Sequence, residues 1–367
     1  MANQTIAIVR RNQPPALRVP IIDLLTCRSQ DHDLYRANSA YAPEDWESQT
    51  TSIGSSINRG LVENGRRYQT LRPEEYFIPS DDQQFESYQA GHLVALATHP
   101  DEMNPLFLSP IGYSPTAVPL NKRPQHILDI GTGNGTWAID VADIFPCAII
   151  RGVDLFPPPV TWVPPNCVLE VDNVLQKWTW SEKFDLIHMR HMTGSFSPLE
   201  WELVYKHCYD NLRIGGWIEQ VEMSFIVQTD DGSLPPDNVL SHIGPNIIWC
   251  GTHAGRPCDT VDTISSSIRK AGYINVHEKT YKWPIGPWPK EKQLKEVGTV
   301  NFQHWITGLE GWCMWLFTKF GEPQPWAKEE VHVYVAQLRK ELKNPHHHVW
   351  HRVRRVWAQK PAAVKDV

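Results

Sequence analysis

The chain has 367 residues, a formal net charge of −6, 16 tryptophans and 30 prolines, and its isoelectric point lies near 6.2. This acidic balance weighs against a nucleic-acid-binding protein, which needs a basic surface, and the chain contains no apolar run of the ~18 residues that a membrane span requires. Its seven cysteines show no C-x-x-C spacing, so we expect reduced thiols, a cytoplasmic protein and no structural metal.

Two segments precede the first predicted core strand. Residues 1–60 lack hydrophobic periodicity and predict an extended arm, which could dock on a second copy of the chain in a homodimer. Residues 61–124 are more regular, and the stretch that follows Ser80 predicts a helix with Ser80 as its N-cap. We therefore expect an arm and then a helical prelude that packs on the core.

The stretch HILDIGTGNGTWAIDVADIFP predicts a buried strand, a glycine turn and an amphipathic helix. Its glycines stand at positions 131, 133 and 135, and Thr136 occupies the place of the third glycine in a dinucleotide fingerprint. Asp129 precedes the turn, where a carboxylate would repel a pyrophosphate. The same carboxylate suits the ammonium and sulfonium of S-adenosylmethionine, so the turn favours that cofactor over a dinucleotide.

Three further apolar runs predict the strands of the core, residues 125–228. The first ends in Asp154, followed by Leu155, where an acid can bind ribose hydroxyls. The second ends in Asp172 and Asn173, which are well placed for the adenine amine, and the third, FDLIHMR, ends at Arg190. After them Gly215 and Gly216 predict the end of a helix before a fifth strand.

The remaining chain predicts a cap and the end of the sheet. Residues 229–335 hold a long apolar insert, a sixth strand and aromatic helices, and residues 336–367 hold a terminal strand. Many tryptophans lie between Trp249 and Trp326, where they could either fill a core or line an apolar substrate cavity. The histidines near position 350 alternate on a predicted strand, so they point to opposite faces and predict no metal site.

Taken together, the motifs NGRRY, LDIGTGNGTWAID, GVDL, EVDN, FDLIHMRHM and NLRIGGWIEQVE resemble the class I S-adenosylmethionine-dependent methyltransferases, and most closely their fungal LaeA-like branch. The resemblance implies an α/β fold with a Rossmann-like seven-stranded sheet, an N-terminal helical segment and an aromatic-rich cap after strand five. It implies a cofactor site in which Arg66 or Tyr68 closes over the methionine carboxylate. The other cofactor-binding residues that it implies are Asp129, Gly131, Thr132, Gly133, Gly135, Asp154, Leu155, Asp172, Asn173 and Arg190.

Methyl transfer is an in-line displacement, so much of the catalysis can come from orientation. A base helps when the acceptor is a hydroxyl or an amine and is unnecessary for a carboxylate. His191, after the fourth strand, and Glu222, at the end of the fifth, are the candidate catalytic residues. We expect O-methylation of a small, largely apolar metabolite in fungal secondary metabolism.

Three other interpretations stay open on the sequence alone. The chain could be a LaeA-like regulator that acts in the nucleus through protein partners. It could be a cyclase or pericyclase that keeps the cofactor as a scaffold. It could also be a Rossmann-like domain that binds another ligand.

Overall fold

The computed structural model describes residues 57–98 and 125–362, so the predicted arm and its proposed role in a dimer lie almost wholly outside the described residues. A short hairpin of strands β1 (Leu61–Glu63) and β2 (Arg66–Tyr68) comes first, followed by helix α1 (Asp82–Thr98). These elements form the predicted helical prelude, and α1 packs against a long helix near the end of the chain.

A seven-stranded sheet forms the centre of the molecule. Its strands are β3 (His126–Ile130), β4 (Ile149–Asp154), β5 (Cys167–Val171), β6 (Phe184–Arg190), β7 (Leu212–Thr229), β8 (Ile274–Pro284) and β9 (Val349–Gln359). Their order is β5-β4-β3-β6-β7-β9-β8, and only the pairs that include β9 are antiparallel. The predicted class I methyltransferase sheet is therefore confirmed.

Helices cover both faces of this sheet, as a mostly parallel sheet requires. They are α2 (Thr136–Ile144), α3 (Pro198–Asn211), α4 (Val239–His253), α5 (Thr260–Lys270), α6 (Lys292–Phe320) and α7 (Lys328–Leu342). Helix α2 buries Trp137, Ala138, Val141 and Ala142 at helical spacing. The predicted insert after β7 forms α4 and α5, and α6 contributes three buried tryptophans to the core.

Three details of the sequence predictions are wrong. Asp81, not Ser80, caps α1, because its carboxylate accepts a hydrogen bond from Gln84 N at 3.0 Å. Gly215 and Gly216 lie inside β7 at an irregularity of its pairing with β6, since α3 has already ended at Asn211.

The third detail concerns the thiols. Five cysteines are unpaired and buried, but the exposed Cys147 is disulfide-bonded. A buried thiol is protected from exchange by its surroundings, whereas an exposed one is accessible to a second sulfur. The expectation of reduced thiols therefore fails at this position.

In the described ranges no helix is both long and apolar enough to cross a membrane. Across the same ranges, no group of three His, Cys, Asp or Glu side chains has the arrangement of a metal site. Two of the histidines near position 350 have other partners instead, His348 with Asp231 at 2.6 Å and His347 with the carbonyl of Glu341 at 3.2 Å.

Candidate functional site

A deep cavity opens at the carboxyl ends of β3, β4, β5 and β6, where ligands of open α/β sheets bind. We name this side of the cavity the strand-end edge. Residues between β2 and the middle of α1 close the cavity from above, and its empty space is about 1000 Å³ including the mouth. Its walls contain Arg72, Tyr76, Ser80, Phe85, Tyr88, Asp129, Gly131, Thr132, Gly133, Asn134, Trp137, Asp154, Leu155, Asp172, Asn173, His188, Arg190, His191, Met192, Ser195 and Phe196.

The glycine turn, residues 131–135, forms the floor of the cavity. Gly131, Gly133 and Gly135 have positive φ angles of 70°, 59° and 78°, which side chains other than glycine rarely adopt. A Cβ atom on Gly131 would lie 2.2 Å from Met192 Sδ, and one on Gly133 would lie 3.2 Å from the Tyr88 ring. The turn thus keeps bare backbone on the cavity floor, where a side chain would crowd Met192 or Tyr88.

Two acids stand on neighbouring strands at this edge. Asp154 accepts hydrogen bonds from Gly133 N and Leu155 N at 2.8 and 2.7 Å, so its carboxylate ties β4 to the glycine turn. Burial raises the pKa of Asp154 to about 6. Asp172 follows β5 and donates its backbone N–H to the Asp154 carbonyl at 3.0 Å. The two carboxylates predicted to bind ribose and adenine are therefore brought together.

The acid before the turn has a partner that the sequence did not reveal. His188 on β6 lies 2.8 Å from Asp129 through Nδ1, and its ring stacks on Trp137 with the ring centroids 3.8 Å apart. Burial lowers the pKa of His188, so the neutral imidazole donates this hydrogen bond. The alignment of β3 with β6 places the two residues directly opposite each other. His188 therefore fixes the orientation of the Asp129 carboxylate.

His191 lines the cavity immediately after β6. Its backbone has a positive φ of 55°, an unusual conformation for a residue other than glycine, and its N–H donates to the Val221 carbonyl. Burial, reinforced by the charge of Arg190, holds its pKa well below the usual range, so the imidazole is neutral. Its Nε2 atom has no hydrogen-bond partner among the described residues. A neutral imidazole whose Nε2 atom lacks a partner therefore borders the site.

His191 belongs to a closed circuit of six rings, the other five of them buried, which we name the aromatic ring cluster. Consecutive centroids lie 5.2 to 6.4 Å apart around the circuit His191, His304, Trp312, Trp305, His351 and Trp283. Burial lowers the pKa of His304 to about 4 and that of His351 to about 3. All three histidines of the cluster are therefore uncharged near neutral pH.

Glu222, the second predicted catalytic residue, does not line the cavity. Its side chain is fully buried, and both carboxylate oxygens accept backbone hydrogen bonds at 3.1 Å, from Met192 N and Thr193 N. Burial raises its pKa to about 7. Because Met192 lies against Gly131, Glu222 shapes the cavity indirectly by holding the loop after β6 in place.

Three predicted cofactor contacts also lie away from the cavity. Arg66 forms a two-pronged ion pair with Asp81 at 2.7 and 2.8 Å, and Tyr68 is buried in the core. The NGRRY motif therefore builds the hairpin and braces the start of α1. Gly135 does not line the cavity either, because it packs on Leu169 where α2 begins.

The structure instead adds four residues that the sequence reasoning missed. Tyr76 and Tyr88 meet over the glycine turn, with their hydroxyl oxygens 3.4 Å apart, and Arg72 lines the same wall. His92 lies behind Arg190, at 3.0 Å from its Nη2 atom. Tyr88 and His92 stand at helical spacing on α1, where they resemble ordinary core residues, whereas Arg72 and Tyr76 precede α1 and carry no comparable signal.

The described residues fit S-adenosylmethionine. The glycine turn lines the cavity with bare backbone, and two acids stand where ribose and adenine need acceptors. Several buried polar atoms on the walls lack partners within the described ranges, namely Thr132 Oγ1, His188 Nε2, Arg190 Nη1, His191 Nε2 and Ser195 Oγ. Unpaired buried polar groups are costly, which indicates that a polar ligand completes the site.

Comparison with known proteins agrees with this reading. The family described as "Methyltransferase domain" matches residues 109–230. The chain is 34% identical over 319 residues to methyltransferase pytC of Aspergillus terreus, covering 86% of this chain and 93% of that protein. It is 30% identical to the secondary metabolism regulator laeA of Monascus pilosus (85% and 83% covered). It is 28% identical to the protein-methionine methyltransferase laeA of Emericella nidulans (84% and 79% covered).

Proposed function

The chain belongs to the S-adenosylmethionine-dependent methyltransferases, in their fungal LaeA-like branch, and we propose that it methylates an oxygen atom of a small, largely apolar metabolite of secondary metabolism. The observation that carries this proposal is the neutral His191 imidazole inside an enclosed cavity beside the glycine turn. S-adenosylmethionine, when bound, supplies a methyl group that is activated for displacement. The residues of the chain then have to bind both partners, exclude water and accept a proton.

The strand-end edge would hold the cofactor. Asp154 would accept the ribose hydroxyls, and Asp172 with Asn173 would bind the adenine amine. Asp129, oriented by His188, would face the ammonium. Gly131, Thr132 and Gly133 would let the cofactor approach the backbone, and Leu155 would pack against it. The closing wall of Tyr76 and Tyr88 would keep water out of the filled site.

His191 would act on the acceptor hydroxyl. Its low pKa makes it a weak base and keeps the imidazole neutral, and in the tautomer with its hydrogen on Nδ1 the Nε2 atom would accept the proton. An acceptor hydroxyl becomes much more acidic while its oxygen bonds to the methyl carbon, so a weak base in contact is sufficient. The proton then passes from the acceptor oxygen to Nε2 and onward to solvent, because an imidazolium beside Arg190 is unfavourable.

The surroundings of His191 favour an uncharged acceptor. The cavity walls beyond the strand-end edge include Phe85, Phe196 and two tyrosines, and the aromatic ring cluster behind His191 is neutral. Within the part of the chain that the structure describes, an ammonium acceptor would find no free carboxylate on this side, since Glu222 is occupied by backbone N–H groups. A phenol or alcohol on an apolar skeleton suits these walls.

A second candidate is methylation of a protein side chain. It is favoured by the similarity to two LaeA proteins, one of which is named a protein-methionine methyltransferase. The same cofactor site would serve this reaction, and the difference would lie in the acceptor. The cavity is closed from above and has an apolar lining, and both features support the small-molecule reaction more directly.

Labelled methyl transfer tests the proposal. The protein is incubated with S-adenosylmethionine carrying a labelled methyl group and with matched phenols, carboxylic acids, amines and histone or cell-extract proteins. We expect label in methyl ethers and its loss in His191→Phe, with S-adenosylhomocysteine formed in equal amount. Label confined to protein would support the second candidate, and conversion of a compound without S-adenosylhomocysteine would indicate a cyclase.

A further inference from the structure

Arg190 is a half-buried cation that has no acid bonded to it among the described residues. It stands at the carboxyl end of β6 and lines the cavity, yet it forms no ion pair with any residue in the described ranges. Its Nη1 atom is buried and has no hydrogen-bond partner there. By contrast, the buried Arg355 on β9 is paired with Glu219 at 2.6 Å. Because the Nη1 atom is buried without a partner and no acid is bonded to the guanidinium, an anion bound in the cavity would complete its surroundings.

The other side of the Arg190 guanidinium is held by a defined chain of hydrogen bonds. Nη2 donates to His92 Nδ1 at 3.0 Å, and His92 Nε2 donates to Asp140 Oδ2 at 2.8 Å. Since Nδ1 has to accept from the guanidinium, the proton of the neutral imidazole sits on Nε2. His92 is 1% exposed and belongs to α1, whereas Asp140 belongs to α2. Two helices thus aim one guanidinium.

The acid that lines the same cavity, Asp129, indicates which kind of anion Arg190 would bind. Asp129 ends the neighbouring strand β3 and lines the same cavity, where its field stabilises the Arg190 cation without forming an ion pair with it. A carboxylate and a guanidinium that line one cavity without pairing match the two charges of an amino-acid zwitterion. The methionine part of S-adenosylmethionine carries such a pair.

We propose that Asp140, His92 and Arg190 form a positioning relay, and that the outer edge of the Arg190 guanidinium receives the carboxylate of the cofactor's amino-acid group. His92 and Asp140 act through Arg190 and do not touch the ligand. The relay deepens the function proposed above and rests on its cofactor site. It also explains why His92, on a helix outside the sheet, is fully buried with a polar partner on each ring nitrogen.

Two adenosine ligands distinguish the contribution of the relay from that of the rest of the cofactor site. S-adenosylhomocysteine contains the amino-acid group, whereas 5′-methylthioadenosine has the same adenosine and thioether without it. Calorimetry is done with the full chain and both ligands. We expect Arg190→Gln to weaken the binding of S-adenosylhomocysteine about 100-fold and His92→Phe to weaken it about 10-fold. The affinity for 5′-methylthioadenosine should change by less than ~2-fold in both variants. His92→Gln, which can accept and donate in the same two directions, should restore most of the loss.

His347→Phe is the matched control. His347 is also buried, at 9% exposure, and its Nδ1 lies 3.7 Å from the Glu341 carboxylate, but it does not line the cavity. The variant should bind both ligands as the wild type does. Equal weakening of both ligands by His92→Phe, or unchanged S-adenosylhomocysteine binding in Arg190→Gln, would overturn the relay. If the wild type bound neither ligand, the proposed cofactor site itself would be wrong.

Discussion

The strand-end edge and the aromatic ring cluster both border His191, but they are assembled in different ways. At the strand-end edge the key groups come from short segments that each follow a strand, and backbone geometry sets their place. The aromatic ring cluster takes its members from β8, β9, α6 and the end of β6, which are far apart in the chain. The first region is built by turns and strand ends, the second by side-chain packing.

This difference in construction assigns cofactor binding to the strand-end edge and the choice of acceptor to the aromatic ring cluster. A cofactor common to a whole family needs a fixed cradle, and the left-handed glycines with their acid partners supply one. An acceptor is particular to each enzyme, and buried rings from distant segments can be exchanged without altering the sheet. We therefore expect substitutions at the strand-end edge to change cofactor affinity and substitutions in the aromatic ring cluster to change turnover alone.

The largest effect should come from Gly131→Ala. Its Cβ atom would lie 2.2 Å from Met192 Sδ on a backbone with φ of 70°. Crowding and strain together should weaken S-adenosylhomocysteine binding roughly 300-fold in calorimetry. Gly255→Ala is the matched control, since it has the same φ of 70° and no atom within 4 Å of its Cβ position. A loss of binding in the control as well would attribute the effect to backbone strain alone.

A second prediction concerns His191, the residue that borders both regions. His191→Phe should lower kcat about 100-fold, because the group that accepts the acceptor proton is lost. S-adenosylhomocysteine affinity should stay within ~3-fold of the wild type, since His191 is assigned to the acceptor. The rate is measured with the acceptor found by labelled methyl transfer. A large fall in cofactor affinity would instead place His191 at the strand-end edge and erase the proposed division.

Asp154 gives a prediction with a pH signature. Asp154→Ala should weaken the binding of S-adenosylhomocysteine about 30-fold. Asp185→Ala should leave this affinity unchanged, because Asp185 accepts a hydrogen bond at the amino end of β3, away from the cavity. The pKa of Asp154 is raised to about 6, so its carboxylate gains a proton as the pH falls through that value. Wild-type affinity should therefore fall several-fold between pH 7.5 and ~5.5, and Asp154→Asn should remove this dependence. A flat wild-type profile would contradict the ribose assignment.

The same raised pKa has a consequence for stability. The unfolded chain holds Asp154 at its ordinary, lower pKa, so between that value and about 6 the folded state binds more protons. The contribution of Asp154 to stability is thus most favourable at acidic pH and is lost as the pH rises through about 6. Thermal unfolding of the ligand-free protein should show Asp154→Asn losing this pH dependence.

The smallest effect is expected inside the aromatic ring cluster. His304→Phe keeps a ring at the position that stacks on His191 at 5.9 Å but removes the hydrogen bonds between its Nδ1 atom and Ser87. We expect a fall in kcat/KM of about 5-fold, unchanged S-adenosylhomocysteine binding and a modest loss of thermal stability. A loss of cofactor affinity as large as that of Asp154→Ala would show that the two regions act as one.

The sequence predicted the sheet and most of the strand-end edge because each feature there has a local cause. The glycine spacing, Asp129, Asp154 and Asp172 all follow from what a turn or strand end requires. The prediction failed for Arg66, Tyr68 and Glu222, whose partners lie on other segments. A charged residue near a strand end looks the same in sequence whether it faces a ligand or a buried backbone.

The residues that pack near the glycine turn could not be predicted from the sequence for a related reason. Tyr88 and His92 lie on a helix that precedes the sheet by many residues, and nothing local reveals that they cover Gly133 and support Arg190. The aromatic ring cluster shows the limit most clearly, because its six members come from four separate segments. Their tryptophans could be counted from the sequence, but only packing shows that they close into a circuit.

Strand β9 lies between β7 and β8 and runs antiparallel to both. During synthesis the parallel strands β3 to β6 emerge first and can pair with one another early. The aromatic ring cluster has to wait for His351 on β9, after almost every other element has been made. The growing chain therefore contains the strands of the cofactor site before it contains His351, and the aromatic ring cluster is completed only when the last strand joins the sheet.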